Sequence, residues 1–212
     1  MEKLFYLTSR HGDFCSSVSW WAKDGNGYTT NINNAHKFKL QEAQKHHDHE
    51  IPALPIECDS VDRKSRLRVD HQYLDETKGR PVNDNDLVYS IAPQCFDGND
   101  VKFCNDGFGS FNLDEAVAVT FKKALESKAK DTLWLKSHID SIARPTFQRA
   151  NLHKQSMCSK FDVKVRKSKR KRTTTGKTRF NCGFCSKFIW EFGHPDMTFY
   201  CSWECEHKAG AL

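Results

Sequence analysis

The sequence has no apolar run that approaches the roughly 20 residues needed to span a bilayer, so it predicts no transmembrane helix and no membrane partner. Its first stretch, MEKLFYLTSRHGD, is interrupted by charged and polar residues and lacks the apolar region of a signal peptide. We therefore expect a chain without a secretory leader, in a reducing cytosol where thiols stay free.

Several enzyme signatures are missing as well. The sequence has no Gly-x-Ser-x-Gly elbow, no spaced His-Glu-x-x-His pair and no Cys-His nucleophile signature. The stretch TTTGKT at residues 173–178 ends like a phosphate-binding loop, but Lys171 stands where that pattern needs a glycine. The most enzyme-like tetrapeptide, Arg10-His11-Gly12-Asp13, falls in a predicted hairpin loop. We therefore expect a protein that is not an enzyme.

Two groups of ionisable residues fit structural roles better than chemistry. The run His46-His47-Asp48-His49-Glu50 has the residue types of a metal site, but such a run more often lies at a solvated helix end. The sequence leaves a metal there open. A second group, of carboxylates, is expected to serve turns: Asp84, Asp86, Asp97, Asp100 and Asp106.

One segment of the sequence is strongly basic and contains no Asp or Glu. Residues 164–179, KVRKSKRKRTTTGKTR, contain nine Lys or Arg while the whole chain carries +6, so the rest carries −3. We call residues 164–179 the basic strap. It is either a charged linker or a phosphate-binding segment, and we expect it to contact DNA or RNA. The predicted contacts are Lys164, Arg166, Lys167, Lys169, Arg170, Lys171, Arg172, Lys177 and Arg179.

Two stretches of the sequence echo each other, beginning at Leu4 and at Asp86. Each has apolar residues typical of a first strand and then an Asp-Gly-x-Gly turn, at 24–27 or 106–109. A duplicated module would explain the echo, and so would chance, because such turns are common. Both interpretations stay open at this point.

The sequence predicts an α+β fold with several small parts. A helix is expected to begin near Ala35 in the first stretch, and from Leu113 in the second, where Asn112 and Glu115 can form a capping box. Pro145 should break a later helical segment. The predicted division is 1–62 and 84–130 for two strand-turn-strand-helix units, 131–160 for a helical segment, 161–179 for a basic linker and 180–212 for a zinc knuckle.

The first unit resembles a domain carried by small phage and prophage proteins. The resemblance covers residues 5–61 and rests on the pattern YLTS, then WW, then NGYTTNINNA, then IPALPIEC. It implies a phage origin, the cytoplasm of an infected bacterium as the location, and an accessory role such as host takeover or counter-defence. It implies no particular chemistry.

Four of the nine cysteines follow the spacing Cys182-x2-Cys185-x15-Cys201-x3-Cys205. Two close pairs separated by a short span are typical of tetrahedral Zn²⁺, because each pair supplies two thiolates. Gly183 is expected to allow the first turn, and a helix after Cys201 would bring Cys205 onto the same side, as in a treble clef. Two disulfides or unused thiols are the alternatives. Four thiolates close the shell, so the zinc would be structural.

The remaining cysteines show no close pairing in the sequence. We expect them to be free thiols, most of them buried, because a small apolar thiol suits a core in a reducing compartment. They are Cys15, Cys58, Cys95, Cys104 and Cys158.

Residues 182–205 also resemble the zinc knuckle of small bacterial DNA gyrase inhibitor proteins. They share the cysteine spacing, the Ile189-Trp190 pair and the Tyr200-Cys201-Ser202 step. The sequence ends at Leu212 without the acidic extension that follows the knuckle in that family. The resemblance implies a zinc-binding module, and this difference weakens the inference that gyrase is its partner.

The sequence supports one leading function and two alternatives. The leading hypothesis is a phage accessory protein whose body recognises a host protein, while the strap and the knuckle, with Trp190 stacking on bases, engage nucleic acid. The first alternative is a pure protein-protein inhibitor of a host topoisomerase or defence nuclease. The second is a nucleic-acid-processing enzyme. The target and the oligomeric state stay open.

Overall fold

The structure of the chain is a computed structural model that describes residues 3–25, 27–50, 52–104, 109–127, 132–166, 176–193 and 197–210. The chain forms two compact units, Met1–Lys167 and Ser168–Leu212, which we call the N-terminal unit and the C-terminal unit. Each contains both helices and strands, in agreement with the predicted α+β class. No helix in the described part of the chain is both long and apolar enough to cross a membrane.

The first half of the N-terminal unit is built around one short buried strand. Its strands are β1 (Leu4–Leu7), β2 (Trp20–Trp21), β3 (Tyr28–Thr29), β4 (Phe38–Lys39), β5 (Pro55–Glu57) and β6 (Arg66–Arg68), and its helices are α1 (Leu40–His49), α2 (Cys58–Asp62) and α3 (Glu76–Gly79). β1 lies between β4 and β5, antiparallel to both. Phe5, Tyr6 and Leu7 are all buried, so both faces of this strand are covered.

The second half has the same order of elements except for β3, which has no counterpart among its described strands. Its strands are β7 (Leu87–Asp97), β8 (Asp100–Phe103), β9 (Val119–Thr120), β10 (Leu133–Leu135) and β11 (Arg144–Thr146), and its helices are α4 (Phe121–Leu125), α5 (Lys136–Ile142) and α6 (Lys154–Met157). β7 is the central strand here, antiparallel to β8, β9 and β10. β7 and β8 form a hairpin. The corresponding strands of the first half, β1 and β2, are joined only by an isolated bridge between Thr8 and Trp20.

Strand registers also correspond between the halves. Matched pairs are Phe5–Phe38 with Val88–Val119, and Tyr6–Ile56 with Tyr89–Trp134. A short 3-10 helix precedes β4 at Ile32–Asn34, and another precedes β9 at Leu113–Glu115. Gly25, Gly27 and Gly109 have positive φ, as tight turns require. Asp106 and Gly107 of the second turn lie outside the described residues.

The strands that end the two halves are exchanged. β6 pairs with β11 in antiparallel fashion, with Leu67 opposite Pro145 at the centre. The N–H of Val18 donates to the Phe147 carbonyl, and the N–H of Val101 donates to the Val69 carbonyl, both at 2.9 Å. The segment after β6 and the segment after β11 therefore each complete the hydrogen bonding of the opposite half.

Each half also has its own hydrophobic core, and each core borrows residues from the other half. The core around β1 and Trp20 includes Phe147 and Met157 from the second half. The core around Phe103 includes Val69 from the first half. Phe147 and Val69 are both fully buried, so neither half buries its apolar surface alone.

A buried ion cluster joins the halves beside β6 and β11. Arg68 contacts Asp97 at 2.6 Å and Asp100 at 3.3 Å, while Arg144 contacts Asp100 at 2.7 Å and Asp70 at 3.3 Å. Both arginine side chains are less than one-tenth exposed. The prediction that Asp97 and Asp100 serve only turns was therefore wrong. Charged groups at this depth need partners, and the cluster supplies them across the two halves.

Helix starts differ from the sequence prediction. The helices begin at Leu40 and Phe121, five or more residues later than expected, because β4 and β9 occupy the intervening positions. At the predicted second start, the Asn112 side chain bonds Glu115 at 3.0 Å but does not cap a backbone N–H. Pairing with the central strand outweighs local helix preference at these positions.

The segment 131–160 also departs from its predicted helical character. Its described residues contain the strands β10 and β11 as well as the helices α5 and α6. Arg144 is extended, as expected for a residue before proline, and it pairs with β6. Pro145 signals an extended residue before it, but the local sequence does not reveal the partner strand. That partner is β6, in which Leu67 pairs with Pro145 across 78 residues.

The C-terminal unit is small and has little core. It contains β12 (Thr178–Asn181), β13 (Phe188–Glu191) and α7 (Trp203–Gly210), with β12 and β13 forming an antiparallel hairpin. Residues 178 and 179 of the predicted linker thus belong to a strand. Among the described residues of this unit only Phe180 and Cys182 are buried. Phe180 packs on Phe199 with ring centroids 4.5 Å apart.

Candidate functional site

The four cysteines predicted as ligands come together in the C-terminal unit. Their sulfur atoms all lie within 4.8 Å of one another, and this is the only group of three or more ligand-type side chains found in the described residues. Cys185 Sγ is 3.4 Å from Cys201 Sγ, which is 3.5 Å from Cys205 Sγ. The group can hold a metal ion.

A tight turn after β12 positions the first two thiols. The Cys182 N–H donates to the Lys187 carbonyl at 2.9 Å, and the Ser186 N–H donates to the Cys182 carbonyl at 3.0 Å. Ser186, with φ 59°, is the left-handed residue of the turn, not Gly183 as the sequence suggested. Glycine is needed at 183 for a different reason, because a Cβ there would lie 2.6 Å from the Thr198 methyl group.

The other two thiols are positioned by the start of α7. Cys205 lies in the first turn of this helix, and its N–H donates to the Ser202 carbonyl at 3.1 Å. The Cys201 N–H donates to Cys182 Sγ at 3.4 Å, and this hydrogen bond links the first cysteine pair to the second. Cys182 and Phe199 also form a parallel bridge.

Electrostatics distinguish two of the thiols. Backbone N–H groups directed at Cys182 Sγ, that of Cys185 foremost, lower the pKa of Cys182 to about 6. The neighbouring thiols of Cys185 and Cys205 raise the pKa of Cys201 to about 12. The turn thus favours a thiolate at Cys182, which is the form that ligates metals.

The other candidate clusters of the sequence have structural partners. His47 is buried, with Nδ1 2.9 Å from the Ala53 carbonyl and Nε2 accepting from the Arg166 N–H. His46 packs on Trp21, with ring centroids 5.1 Å apart. In the loop after β1, Arg10 pairs with Glu50 at 2.9 Å and Asp13 pairs with Arg149 at 3.4 Å. These contacts give His46, His47, Arg10 and Asp13 structural partners within the N-terminal unit.

The remaining five cysteines are free thiols, as predicted, but fewer are buried than expected. Cys58 and Cys158 are buried, Cys95 and Cys104 are partly exposed and Cys15 is exposed. Burial raises the pKa of both Cys58 and Cys158 to about 12, so these thiols stay protonated.

Only the ends of the basic strap fall within the described residues. Lys164 and Arg166 belong to the N-terminal unit, where the Lys164 N–H donates to Gln44 at 2.9 Å and Arg166 pairs with Asp48 at 2.9 Å. Lys177 and Arg179 belong to the C-terminal unit. Residues 167–175, which include the predicted contacts Lys167, Lys169, Arg170, Lys171 and Arg172, lie outside the described residues.

One face of the β12–β13 hairpin carries exposed aromatic rings. Phe188 is 61% exposed, Trp190 47% and Phe192 65%. Arg179 lies opposite Trp190, and its guanidinium is 4.5 Å from the Phe188 ring centroid. Lys177 Nζ is 5.3 Å from the Phe192 ring centroid. The sequence predicts exposed rings suited to stacking at Phe184, Phe188 and Trp190, but it does not single out Phe192, which continues the alternation.

Comparison of the chain with protein-family models, with curated proteins and with solved structures gives no match.

Proposed function

We propose that the four thiols bind a structural Zn²⁺. Zn–S bonds of about 2.3 Å in a tetrahedron place sulfur atoms about 3.8 Å apart, and the sulfur separations of 3.4 Å to within 4.8 Å bracket that value. Four protein ligands complete a zinc shell and leave no position for a catalytic water. With only two buried residues described, the unit needs the folding free energy that a metal supplies.

We propose further that the C-terminal unit, together with the basic strap, binds nucleic acid. The observation that carries this proposal is the juxtaposition of exposed rings with cations on the hairpin face, where Lys177 and Arg179 lie over Phe192 and Phe188. Cations neutralise phosphates and exposed rings stack on bases, so the face offers both contacts of a nucleic-acid surface. The strap continues the positive charge toward residue 164.

The biological setting that we propose follows from the phage-domain resemblance of residues 5–61. It is that of an accessory protein in the cytoplasm of an infected bacterium, with the N-terminal unit recognising a host protein. A pure protein inhibitor is the second candidate, because Met197 and Trp203 add exposed apolar surface to the same small unit. The dependence of binding on salt separates the two functions.

Replacing five cations of the strap should weaken binding to duplex DNA and flatten its salt dependence. The change of Lys167, Lys169, Arg170, Lys171 and Arg172 to alanine lowers the net charge from +6 by five, to +1. If each cation contacts a phosphate, the slope of log affinity against log salt should fall by roughly 4.5, at about 0.9 per contact. Fluorescence anisotropy across a salt series measures this slope.

The matched control for this variant replaces lysines elsewhere on the surface. Lys3, Lys122, Lys123, Lys154 and Lys160 changed to alanine remove the same charge from the N-terminal unit, and the slope should then change by much less than 4.5. Equal losses in the two variants would indicate a net-charge effect and contradict a local contact. No binding by the native protein at low salt would favour the inhibitor function.

We also propose that the halves of the N-terminal unit arose by duplication of one module. The repeated element order, the matched registers and the reciprocal bonds of Val18 and Val101 support this origin. Two modules that exchange their final strands about the Leu67–Pro145 pair have the geometry of a fused homodimer.

A cut in the connection between the halves should therefore leave them associated. Val82 is 82% exposed, so a specific protease site inserted after it can be cleaved in the folded full-length protein. The two pieces should co-elute in size-exclusion chromatography and separate only in denaturant, because their cores are shared. Separation in native buffer would contradict the exchanged-strand interpretation.

A further inference from the structure

The outer face of the β12–β13 hairpin has a regular chemical pattern. In an antiparallel pair of strands, the side chains of directly opposed residues lie on the same face of the sheet. Residues two positions further along each strand lie on that face as well. Arg179 lies opposite Trp190, and Asn181 lies opposite Phe188. The intervening pair of Phe180 and Ile189 faces the other way, where Phe180 is buried. Three rings and two cations thus form one exposed row.

Within β13 the strand sets the spacing of the rings of Phe188 and Trp190, and Phe192 follows directly after the strand ends. Residues two apart in a strand are about 6.8 Å apart, twice the 3.4 Å between stacked bases of one DNA strand. Adjacent rings therefore cannot meet adjacent bases of a duplex, whose π-faces are covered by their neighbours. An extended single strand with its bases unstacked can lay one base on each ring.

Charge on the row indicates the same class of ligand. Lys177 and Arg179 lie beside the rings, whereas Glu191, the acid of β13, pairs with Thr178 on the opposite face. An apolar protein surface would leave two desolvated cations without counter-charges, which is costly. A phosphate backbone supplies those counter-charges at the edge of the stacked bases.

We propose that this row, Lys177, Arg179, Phe188, Trp190 and Phe192, is a binding platform for single-stranded nucleic acid that holds about three unpaired nucleotides by stacking. The proposal rests on the nucleic-acid binding proposed above and narrows it to single strands. Both DNA and RNA have the required chemistry, since every base has a π-face, so the experiment distinguishes them.

The test uses the full chain loaded with zinc, by fluorescence anisotropy. Probes of about 15 nucleotides are labelled oligo-dT, labelled oligo-U and a mixed-sequence duplex of equal length. The native protein should bind a single strand more tightly than the duplex. Trp190→Ala should weaken single-strand binding about 5- to 150-fold and change duplex binding little. The salt slope should be almost unchanged, because no charge is removed.

Trp203→Ala is the matched control. This tryptophan is 70% exposed in the same unit but lies on α7, outside the row, and its removal should leave single-strand binding within about twofold. Elemental analysis of both variants verifies that each keeps its metal. Phe188→Ala and Phe192→Ala should each weaken binding in the same direction as Trp190→Ala.

The outcomes separate this inference from the broader proposal. Tight duplex binding that is unaffected by any of the three ring substitutions would overturn the platform and leave nucleic-acid binding intact. Equal losses in the Trp190 and Trp203 variants would also overturn it. If none of the probes is bound at low salt, nucleic-acid binding itself is wrong. Stronger binding of oligo-U than of oligo-dT, lost in the Trp190 variant, would assign the platform to RNA.

Discussion

Cys201→Ser is expected to unfold the C-terminal unit and to leave the N-terminal unit folded. The substitution removes one of the four proposed zinc ligands, which lie where the turn after β12 meets the start of α7. Metal binding contributes on the order of 10 kcal/mol to the folding of comparable small zinc modules, and this unit has little apolar burial to replace it. Limited proteolysis should then cleave within 180–210 while the N-terminal unit resists.

Metal content gives the direct measurement. The native protein should contain about one Zn per chain, and Cys201→Ser should contain far less. Cys15→Ser, which removes an exposed free thiol of the N-terminal unit, is the control and should keep the full metal content. A folded native protein with well under half a zinc per chain, or a C-terminal unit that stays protected after chelation, would overturn the zinc proposal.

Arg68→Ala is expected to destabilise the N-terminal unit by about 3–5 kcal/mol, as is typical when one partner of a buried ion pair is removed. The truncation leaves Asp97 without its guanidinium partner and Asp100 with Arg144 alone. Because the cluster joins the two halves, the loss should appear as one cooperative shift of the urea midpoint and not as separate melting of either half.

Arg10→Ala provides the comparison for this prediction. Arg10 pairs with Glu50 at 2.9 Å, but its side chain is 51% exposed, and such pairs contribute about 0.2–1 kcal/mol. Similar losses for the two arginines would show that the cluster around Arg68 is not a joint between the halves. Two separate unfolding transitions in the native protein would contradict the shared cores.

Local signals in the sequence predicted the cluster of four cysteines. The cysteine spacing alone identified the four thiols that the structure brings together, because each pair is positioned by residues within four of one another. The cysteine spacing did not identify how the turn is made. Ser186 takes the left-handed position, and Gly183 is needed because a Cβ there would be too close to Thr198. That contact joins residues distant along the chain, which spacing does not reveal.

Long-range pairing explains most of what the sequence did not show. The two Asp-Gly-x-Gly turns lie one in each half, as the sequence echo indicates. The sequence predicts helix at the positions of β4 and β9, because the pairing of these strands with β1 and β7 lies outside any local window. The ion cluster was missed for the same reason, since Arg68 and Asp100 meet only after the final strands are exchanged.

The exchanged strands also set the order in which the chain can acquire its structure. Thr146 Oγ1 donates to the Arg66 carbonyl across 80 residues, so β6 has no partner until most of the N-terminal unit has been synthesised. Folding is slowed because the entropy cost of closing a loop of this length precedes the contacts that stabilise it. Until that loop closes, β6 of the first half has an unpaired edge. During that interval the same edge can pair with a second chain, which makes domain-swapped dimers the expected side product of rapid expression.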